Sequence, residues 1–560
     1  MSDSIAKPHA GRGACLRTAL LLNAVLAALT VLIVRVGFES NDDPTLAAFV
    51  DGQMAHSTAC IPYLNIVLGA LLKLVYTVLG RDAAWFTFCQ YALLFAGFTA
   101  LCHVLCARLG VLRGAAVGAV LLLFFGVDAY TVISYTKTAA VCTVGGMALL
   151  LYAAEREVRS PFALFFGAVL ALFGFMLRDM EFLPCFALMA ALILRPLWDT
   201  LAAREGLRRV VRLALPFALV AVLAAGLYGV NELAWSKEPW KTYHDFDRVR
   251  VAYSDYGRPA YDEMPEAYDA LGLSETDVRL LHDGDYFDPG VFSAETMQAV
   301  SDARDESFPR PSPGVCLGLL LDRAIPGFFG NLHVYGFLLI LALWLAAGEH
   351  GPRGWLCAVC AFGLFALAYL YLIWRGRYLV SRVDLGLFLA LASVLALTLD
   401  AEKLRREKTL TAAMLVLALC VSWYLTRGSF RTADTEDKSE VRAAVGTLLR
   451  DEQHVYLAKL DAVPDGLWSP FEPCPAGYWD RIVLLGGFDC LHPAIMQNLA
   501  LYGVENPYRD CVGNAGVYLI DGDIELTLAH IREHYAPRAK AVPVEPMSRD
   551  TGLPIYRILK

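Results

Sequence analysis

Charge is what this chain has least of. Only 19% of its 560 residues are Asp, Glu, Lys or Arg, against 57% apolar residues and a mean hydropathy of +0.47. A soluble chain of this length carries about 25% charged residues, so a water-soluble fold is excluded and the sequence reads as an α-helical polytopic membrane protein. A basic excess is also missing. The net charge is -8, and the acid sits in two polar blocks, 231–313 and 432–560, so nucleic acid is not an expected partner. Cysteine in metal-binding array is absent too: most of the 14 cysteines lie inside apolar runs, where Cys is a small hydrophobe, and Cys357 and Cys360 fall in mid-span. The histidines, among them His56, His103 and His244, are read as lacking metal-ligand spacing; His103, inside a span, reads as a hydrogen-bonded packing residue. No small-residue cleavage site follows the first apolar run, which comes after Lys7, Arg12 and Arg17, so that run reads as a retained signal anchor. Neither repeats nor low-complexity segments are seen.

Twelve apolar runs approach the length needed for a hydrocarbon core of about 30 Å: 15–38, 61–80, 83–106, 111–127, 134–153, 161–177, 182–194, 213–230, 332–347, 355–373, 379–399 and 410–424. If all of them cross, the loops bearing Arg108 and Arg113, and Arg195, Arg204, Arg208, Arg209 and Arg212, fall outside, against the bias that keeps Lys and Arg in the cytoplasm. Removing 61–80 repairs every loop. That run opens at Pro62, contains Lys73 and is followed by Arg81 and Asp82, as suits a helix lying in the outer interface. About eleven crossings remain, with the N-terminus, "AAEREVRS", "GEHGPRG" and "DAEKLRREKT" inside and the C-terminus outside.

The expected organisation is a membrane module over 1–230 with its first outer loop at 38–82, an acidic outer insertion over 231–313, membrane helices over 314–426, and an outer α/β domain over 427–560. Within the insertion, "SETDVRLLHD" and "SAETMQAV" predict helices capped by Ser274 and Ser293, and Trp235, Trp240, Tyr243, Tyr253 and Tyr256 are sugar-stacking candidates or interface anchors. The last block alternates "HVYLAKL", "RIVLLGG", "GVYLI" and "PIYRILK" with the helical "IELTLAHIREHYA". Cys474, Cys490 and Cys511 are enough for one disulfide and one leftover thiol.

The stretch "GFESNDDPTLAAFVDG", 37–52, places acids directly beyond the first span. Asp43 before Pro44 is a helix start in which the carboxylate caps free N–H groups, with Gly52 as the stop; on that basis Asp43→Asn costs roughly 0.5 to 2 kcal/mol. Asp42 is not needed as a cap. At the membrane boundary it can take a proton from a hydroxyl or hold a divalent cation, the plain alternative being a solvated loop acid.

A first crossing, an acidic pair opening the outer loop, and then "PYLNIVLGALLKLVYTVLGRDAAWF" resemble the start of the GT-C superfamily of integral-membrane glycosyltransferases, in its protein O-mannosyltransferase, aminoarabinose transferase and lipopolysaccharide galacturonosyltransferase branches. "RGRYLVSRVDLGLFLALA" resembles their Arg-Tyr-apolar entry into a late span, without the prolines common there. "SNDDPTLAAFVDG", "SYTKTAAV" and "FGFMLRDMEF" are similar to a group of bacterial membrane proteins of Gram-positive lineages, which implies nothing about substrate. The superfamily resemblance spans roughly 15–399. It implies a GT-C-like fold in a bacterial plasma membrane and transfer of a sugar from a polyprenyl-phosphate donor to a cell-envelope glycan or lipid on the outer face, in some members with a divalent cation.

Carried over by position, the resemblance makes Asp42 the first-loop acid with Asp43 as its helper, and sets Arg377 and Arg382, with Arg375, near the donor phosphate. Charge on the outer edge of a span is costly unless paired or used; plain snorkelling is the alternative, chiefly for Arg375. Asp128 and Lys137 flank the second outer loop, and Arg178 sits in "LRDMEF", where a local pair with Asp179 or Glu181 is the simplest reading. Asp42 and Arg377 are expected in one outward cavity roofed by the insertion. Two other classes stay open: a flippase or exporter of envelope precursors, and a non-catalytic assembly protein.

Overall fold

The computed structural model describes residues 12–560 except positions 41, 55, 156–159, 205, 432–438, 461 and 464–466. Lys7, most of "AAEREVRS" and the start of the last polar block lie outside the described residues.

Among the described residues, eight helices are long and apolar enough to cross a membrane, beginning with Gly13–Ile33, Trp85–Leu109, Val111–Thr131 and Tyr135–Ala154 and continuing through Asp179–Ala202, Leu207–Trp235, Pro352–Arg375 and Lys408–Ser429. A ninth span is formed if the pair Pro313–Phe328 and Leu332–Ala347, bent by 100°, counts as one. The 17-residue helices Pro161–Leu177 and Ser381–Leu397 are at the lower limit of about 17 residues for a crossing. All eleven segments expected to cross are thus helical, but two of them are short and one is broken. The protein is mostly helical and multi-pass, with a small sheet at its C-terminus.

Ile66–Leu79, the run expected not to cross, has only 14 residues, about 21 Å of helix. Asn65 caps it, accepting the Val67 N–H at 3.0 Å while its own amide donates to Leu227 O at 2.9 Å. Gly69 sits so close to Ala59 O that a side chain there would strike backbone, which fixes the helix against the loop before it.

One end of the bundle collects the arginine-rich loops. Arg113 donates to Ala401 O at 3.2 Å, Arg353 meets Asp199 at 3.0 Å, Lys403 donates to Gly348 O at 2.9 Å, and Arg195 pairs with Glu349. The sequence requires the same loops to share a side. At the other end lie the first loop, the second loop and both polar blocks, and here a two-residue parallel ladder joins β1 (Gly37–Phe38) to β2 (Val132–Ile133).

Above that end the acidic block forms helices Trp240–Ser254, Pro265–Ala270, Glu275–Asp283 and Ala294–Ser307. Ser274 and Ser293 are their caps as expected, each accepting an N–H at 3.2 Å, from Asp277 and Thr296. The C-terminal sheet contains β3 (Val455–Ala458), β4 (Ile482–Leu484), β5 (Val517–Ile520), β6 (Lys540–Pro543) and β7 (Ile555–Leu559), in the order β4-β3-β5-β7-β6. β3 pairs in parallel with β4 and β5, while β7 runs antiparallel to β5 and β6. Four strands correspond to the four apolar runs; β6 was not foreseen, because "KAVP" is an exposed edge carrying Lys540 and Pro543, residues that suit an edge and hide a strand from a hydrophobicity pattern.

Two expectations fail in this layer. Cys474, Cys490 and Cys511 are all free thiols, Cys511 donating to Tyr508 O and both Cys490 and Cys511 buried. Trp235, Tyr243 and Tyr253 are not sugar-stacking surfaces: they are 4%, 2% and 0% exposed, and Tyr243 spends its hydroxyl on Phe488 O at 2.7 Å. Trp235 packs against Trp240, Tyr243 and His244, and Tyr243 also against His492.

Candidate functional site

The first loop delivers its acids through the helix Asp42–Asp51, which Gly52 ends with a positive φ of 82°. The two acids have different surroundings. Asp42 keeps a partly exposed carboxylate and reaches Arg382 at 3.8 Å. Asp43 points inward, fully buried, and its Oδ1 accepts the Gln90 amide at 2.8 Å and the Tyr135 N–H at 3.0 Å. Tyr135 opens the helix Tyr135–Glu155, so Asp43 caps a helix about ninety residues away rather than its own. The capping role anticipated for it is right in kind and wrong in target. Burial, opposed by the Gln90 hydrogen bond and reinforced by neighbouring Asp42, pushes its carboxyl up to about 8. Two adjacent acids are therefore set apart, one neutral and inside, one partly exposed.

Arg178 lies in the field of Asp42 as well. It forms no ion pair with Asp179 or Glu181 among the described residues; Asp179 holds the Met180 N–H at 2.7 Å and Glu181 accepts from the Cys185 thiol. The guanidinium stacks instead over the rings of Tyr63, 4.8 Å from its centroid, and Tyr135, at 5.7 Å. Tyr63 has φ of 65°, in the left-handed region, where a bulky side chain is strained. Its hydroxyl accepts from Arg250 of the insertion at 2.7 Å, and Arg250 is paired with Asp247 at 2.6 Å. Tyr135 lies in the field of Arg178, Asp42, Asp43 and Arg382 together.

Asp128 and Lys137 belong to a separate, deeper cluster. Lys137, 1% exposed, contacts Glu39 at 2.8 Å and Asp128 at 2.6 Å, and Asp128 in turn faces His333 Nδ1 at 3.4 Å. A π-helical turn at Leu122–Gly126 immediately precedes Asp128 and rotates it inward. The cluster locks the second loop to the first, since the Glu39 N–H also donates to Ile133 O at 3.1 Å.

Arg377 and Arg375 attach to the insertion. Arg377 pairs with Asp255, and Arg375 stacks on Tyr256 at 4.0 Å; the left-handed Gly376 between them ends the helix Pro352–Arg375. Of the three late arginines, Arg382 is the one that meets Asp42. Tyr63, Tyr135, Gln90 and Arg250 were not singled out from the sequence. Tyr135 and Gln90 have no local signal, while Tyr63 follows Pro62 in a break that could have been read as a turn.

Among the described residues, Asp42 and its neighbours form no grouping of three ligand atoms for a cation, and Arg382 opposes the Asp42 charge. Among the described residues, a metal-type grouping occurs elsewhere, at Asp277, His530 and His534. His530 and His534 are four apart on one helix, a ligand spacing that corrects the reading of the histidines above. His103 packs edge-on to Tyr152, and its Nδ1 has no hydrogen bond among the described residues.

No family model and no curated protein matches the chain. Among solved structures it is similar to ArnT from Cupriavidus metallidurans bound to undecaprenyl phosphate, with 13% identity over 96% of this chain and 97% of that one and a TM-score of 0.39. The apo state of the same protein gives 12% identity, 94% and 95% coverage, and 0.38. The Archaeoglobus fulgidus oligosaccharyltransferase complex with Zn and sulfate gives 11% identity over 93% of this chain and 70% of that chain, with a TM-score of 0.39.

Proposed function

We propose that this protein is a membrane glycosyltransferase that moves a sugar from a polyprenyl-phosphate donor to a hydroxyl of a cell-envelope glycan or lipid at the outer face of a bacterial plasma membrane. The N-terminus is then cytoplasmic and both polar blocks are extracytoplasmic. The observation that carries this reading is the pairing at one mouth of a partly exposed carboxylate, Asp42, with two cations, Arg382 at 3.8 Å and Arg178, whose guanidinium is stacked on tyrosines.

The chemistry follows from those charges. The acceptor oxygen attacks the anomeric carbon as its proton passes to Asp42, the bond from that carbon to the phosphate oxygen breaks, and polyprenyl phosphate leaves with its electron pair. Phosphate is already a good leaving group, so fixed positive charge is the main requirement, and an arginine fork suits it. Arg382 would exchange its long contact to Asp42 for the phosphate, freeing the carboxylate to act as base. Arg178, held flat by two rings, needs no such exchange. Asp43, neutral and interior, holds Tyr135 in place. No step is routed through a metal ion, because the residues around Asp42 do not group the ligands for one.

At the opposite end Arg195 pairs with Glu349 and Arg353 with Asp199. The test is transfer from labelled polyprenyl-phosphate sugars in membranes containing the protein. Asp42→Asn and Arg178→Ala should each lower transfer at least about a hundredfold with insertion unchanged. Full transfer by Asp42→Asn would sink the assignment.

A further inference from the structure

Away from that mouth, the acidic insertion and the C-terminal sheet meet in a cluster of four titratable side chains. His530 and His534 lie one turn apart on Ile524–His534, and Asp277 is in the first turn of Glu275–Asp283. Asp277 Oδ1 is 2.7 Å from His530 Nδ1 and 2.9 Å from His534 Nε2. On the far side of the ring, His530 Nε2 is 2.8 Å from Asp288 Oδ2. Asp277, Asp288 and His530 are 0% exposed, whereas His534 is on the rim.

We propose that Asp277, His530 and His534 bind one divalent transition-metal ion of the zinc class, which fastens the insertion to the C-terminal sheet. The site is independent of the transfer chemistry above. Three features carry it. First, the three donor atoms all lie within 4.8 Å of one another and converge on one point. Zinc bonds of about 2.0–2.1 Å in tetrahedral geometry set ligand atoms roughly 3.3 Å apart, so each imidazole nitrogen needs to part from Asp277 Oδ1 by only about half an ångström.

Second, the supporting shell is already built. A ligating imidazole usually gives its other N–H to a carboxylate, and Asp288 does this for His530 while Asn506 and Tyr535 each donate to Asp288 Oδ1 at 2.7 Å. Asp277 Oδ2 is likewise held by the Ser274 N–H at 2.9 Å, leaving Oδ1 for the ion. Third, His530 has a carboxylate at each ring nitrogen, Asp277 at Nδ1 and Asp288 at Nε2. Two imidazoles with one carboxylate suit zinc and its neighbours better than calcium or magnesium, which favour all-oxygen shells. The partial exposure of His534 leaves a fourth position for water.

The test uses the full chain purified in detergent, stripped with a chelator, exposed to Zn²⁺ alone and desalted before elemental analysis. Wild type should retain about one zinc per chain, and its thermal midpoint should rise with zinc. His534→Ala, at the rim and so compatible with folding, should retain at least about tenfold less and show no midpoint shift. Asp277→Asn should do the same, and if it misfolds His534→Ala decides alone. A folded wild type that keeps no zinc makes the cluster a proton-bearing ion pair and overturns the site, as does retention unchanged in His534→Ala.

Discussion

Replacing Asp43 with Asn separates an interior hydrogen-bonding role from that of an ionised cap. The carboxyl is fully buried, its Oδ1 takes two donors, and its Oδ2 has no hydrogen-bond partner among the described residues. Burial lifts it from 3.8 to about 8, so the folded protein holds a proton there at neutral pH. Because the folded state binds that proton more tightly than the unfolded chain, its contribution to stability is complete below pH 3.8, falls as pH rises, and is gone above about pH 8. At 1.36 kcal/mol per pH unit the whole span is on the order of 5 kcal/mol. Asn keeps the accepting oxygen, is neutral at every pH, and places an NH₂ where the acid carries its proton. The stability of Asp43→Asn relative to wild type should therefore climb by about 2 to 3 kcal/mol between pH 6 and pH 8 and then level off. Asp43→Ala instead strands the Gln90 amide and the Tyr135 N–H, at about 1–3 kcal/mol each, across the pH range. Unfolding curves of the detergent-purified proteins from pH 5 to 9 measure both. A gap between wild type and Asn that ignores pH, or a uniform loss of 0.5 to 2 kcal/mol as for an ionised N-cap, would refute the reasoning.

Lys137→Met should cost about 3–5 kcal/mol, because it leaves Glu39 and Asp128 without the buried cation they share, and Lys137→Met combined with Asp128→Asn should recover part of the loss; unfolding midpoints check it. Arg377→Ala, which releases Asp255, should speed proteolytic cleavage within 231–313 and leave transfer within about tenfold of wild type, whereas Arg382→Ala should lose it; a reversed order would return the phosphate-binding role to Arg377.

The membrane helices were legible because most are long apolar runs, and the inside bias of arginine groups the loops by end from the sequence alone. The caps Ser274 and Ser293 were legible because capping is local. What escaped depends on contacts between distant segments. Nothing near Asp43 in the chain announces that its carboxylate caps the helix at Tyr135, and nothing near Arg377 announces Asp255. The break at Phe328 to Leu332 escaped for a different reason: the run before it carries Asp322 and Arg323 in a π-helical turn, so its hydropathy is diluted where the helix turns aside. The His530 and His534 spacing was visible, but it gains meaning only when Asp277 arrives from the other polar block.

The positions of Tyr63 and the insertion explain how a loop can hold the Arg178 cation without an acid to pin it. An arginine beside a carboxylate is neutralised and must break that pair to bind phosphate, as Arg382 would. An arginine laid on two aromatic faces keeps its N–H donors free at its edge while the rings fix its plane. That arrangement is only as rigid as the rings. Tyr135 is fixed by the Asp43 contact to its backbone, and Tyr63, in a strained conformation, by Arg250 reaching down from the helix Trp240–Ser254. The same insertion takes Arg377 through Asp255 and Arg375 through Tyr256. The acidic block is thus joined to the membrane helices through three arginines, and in the proposed reaction its seating on the C-terminal sheet sets the placement of Arg178 as much as it limits water at the mouth.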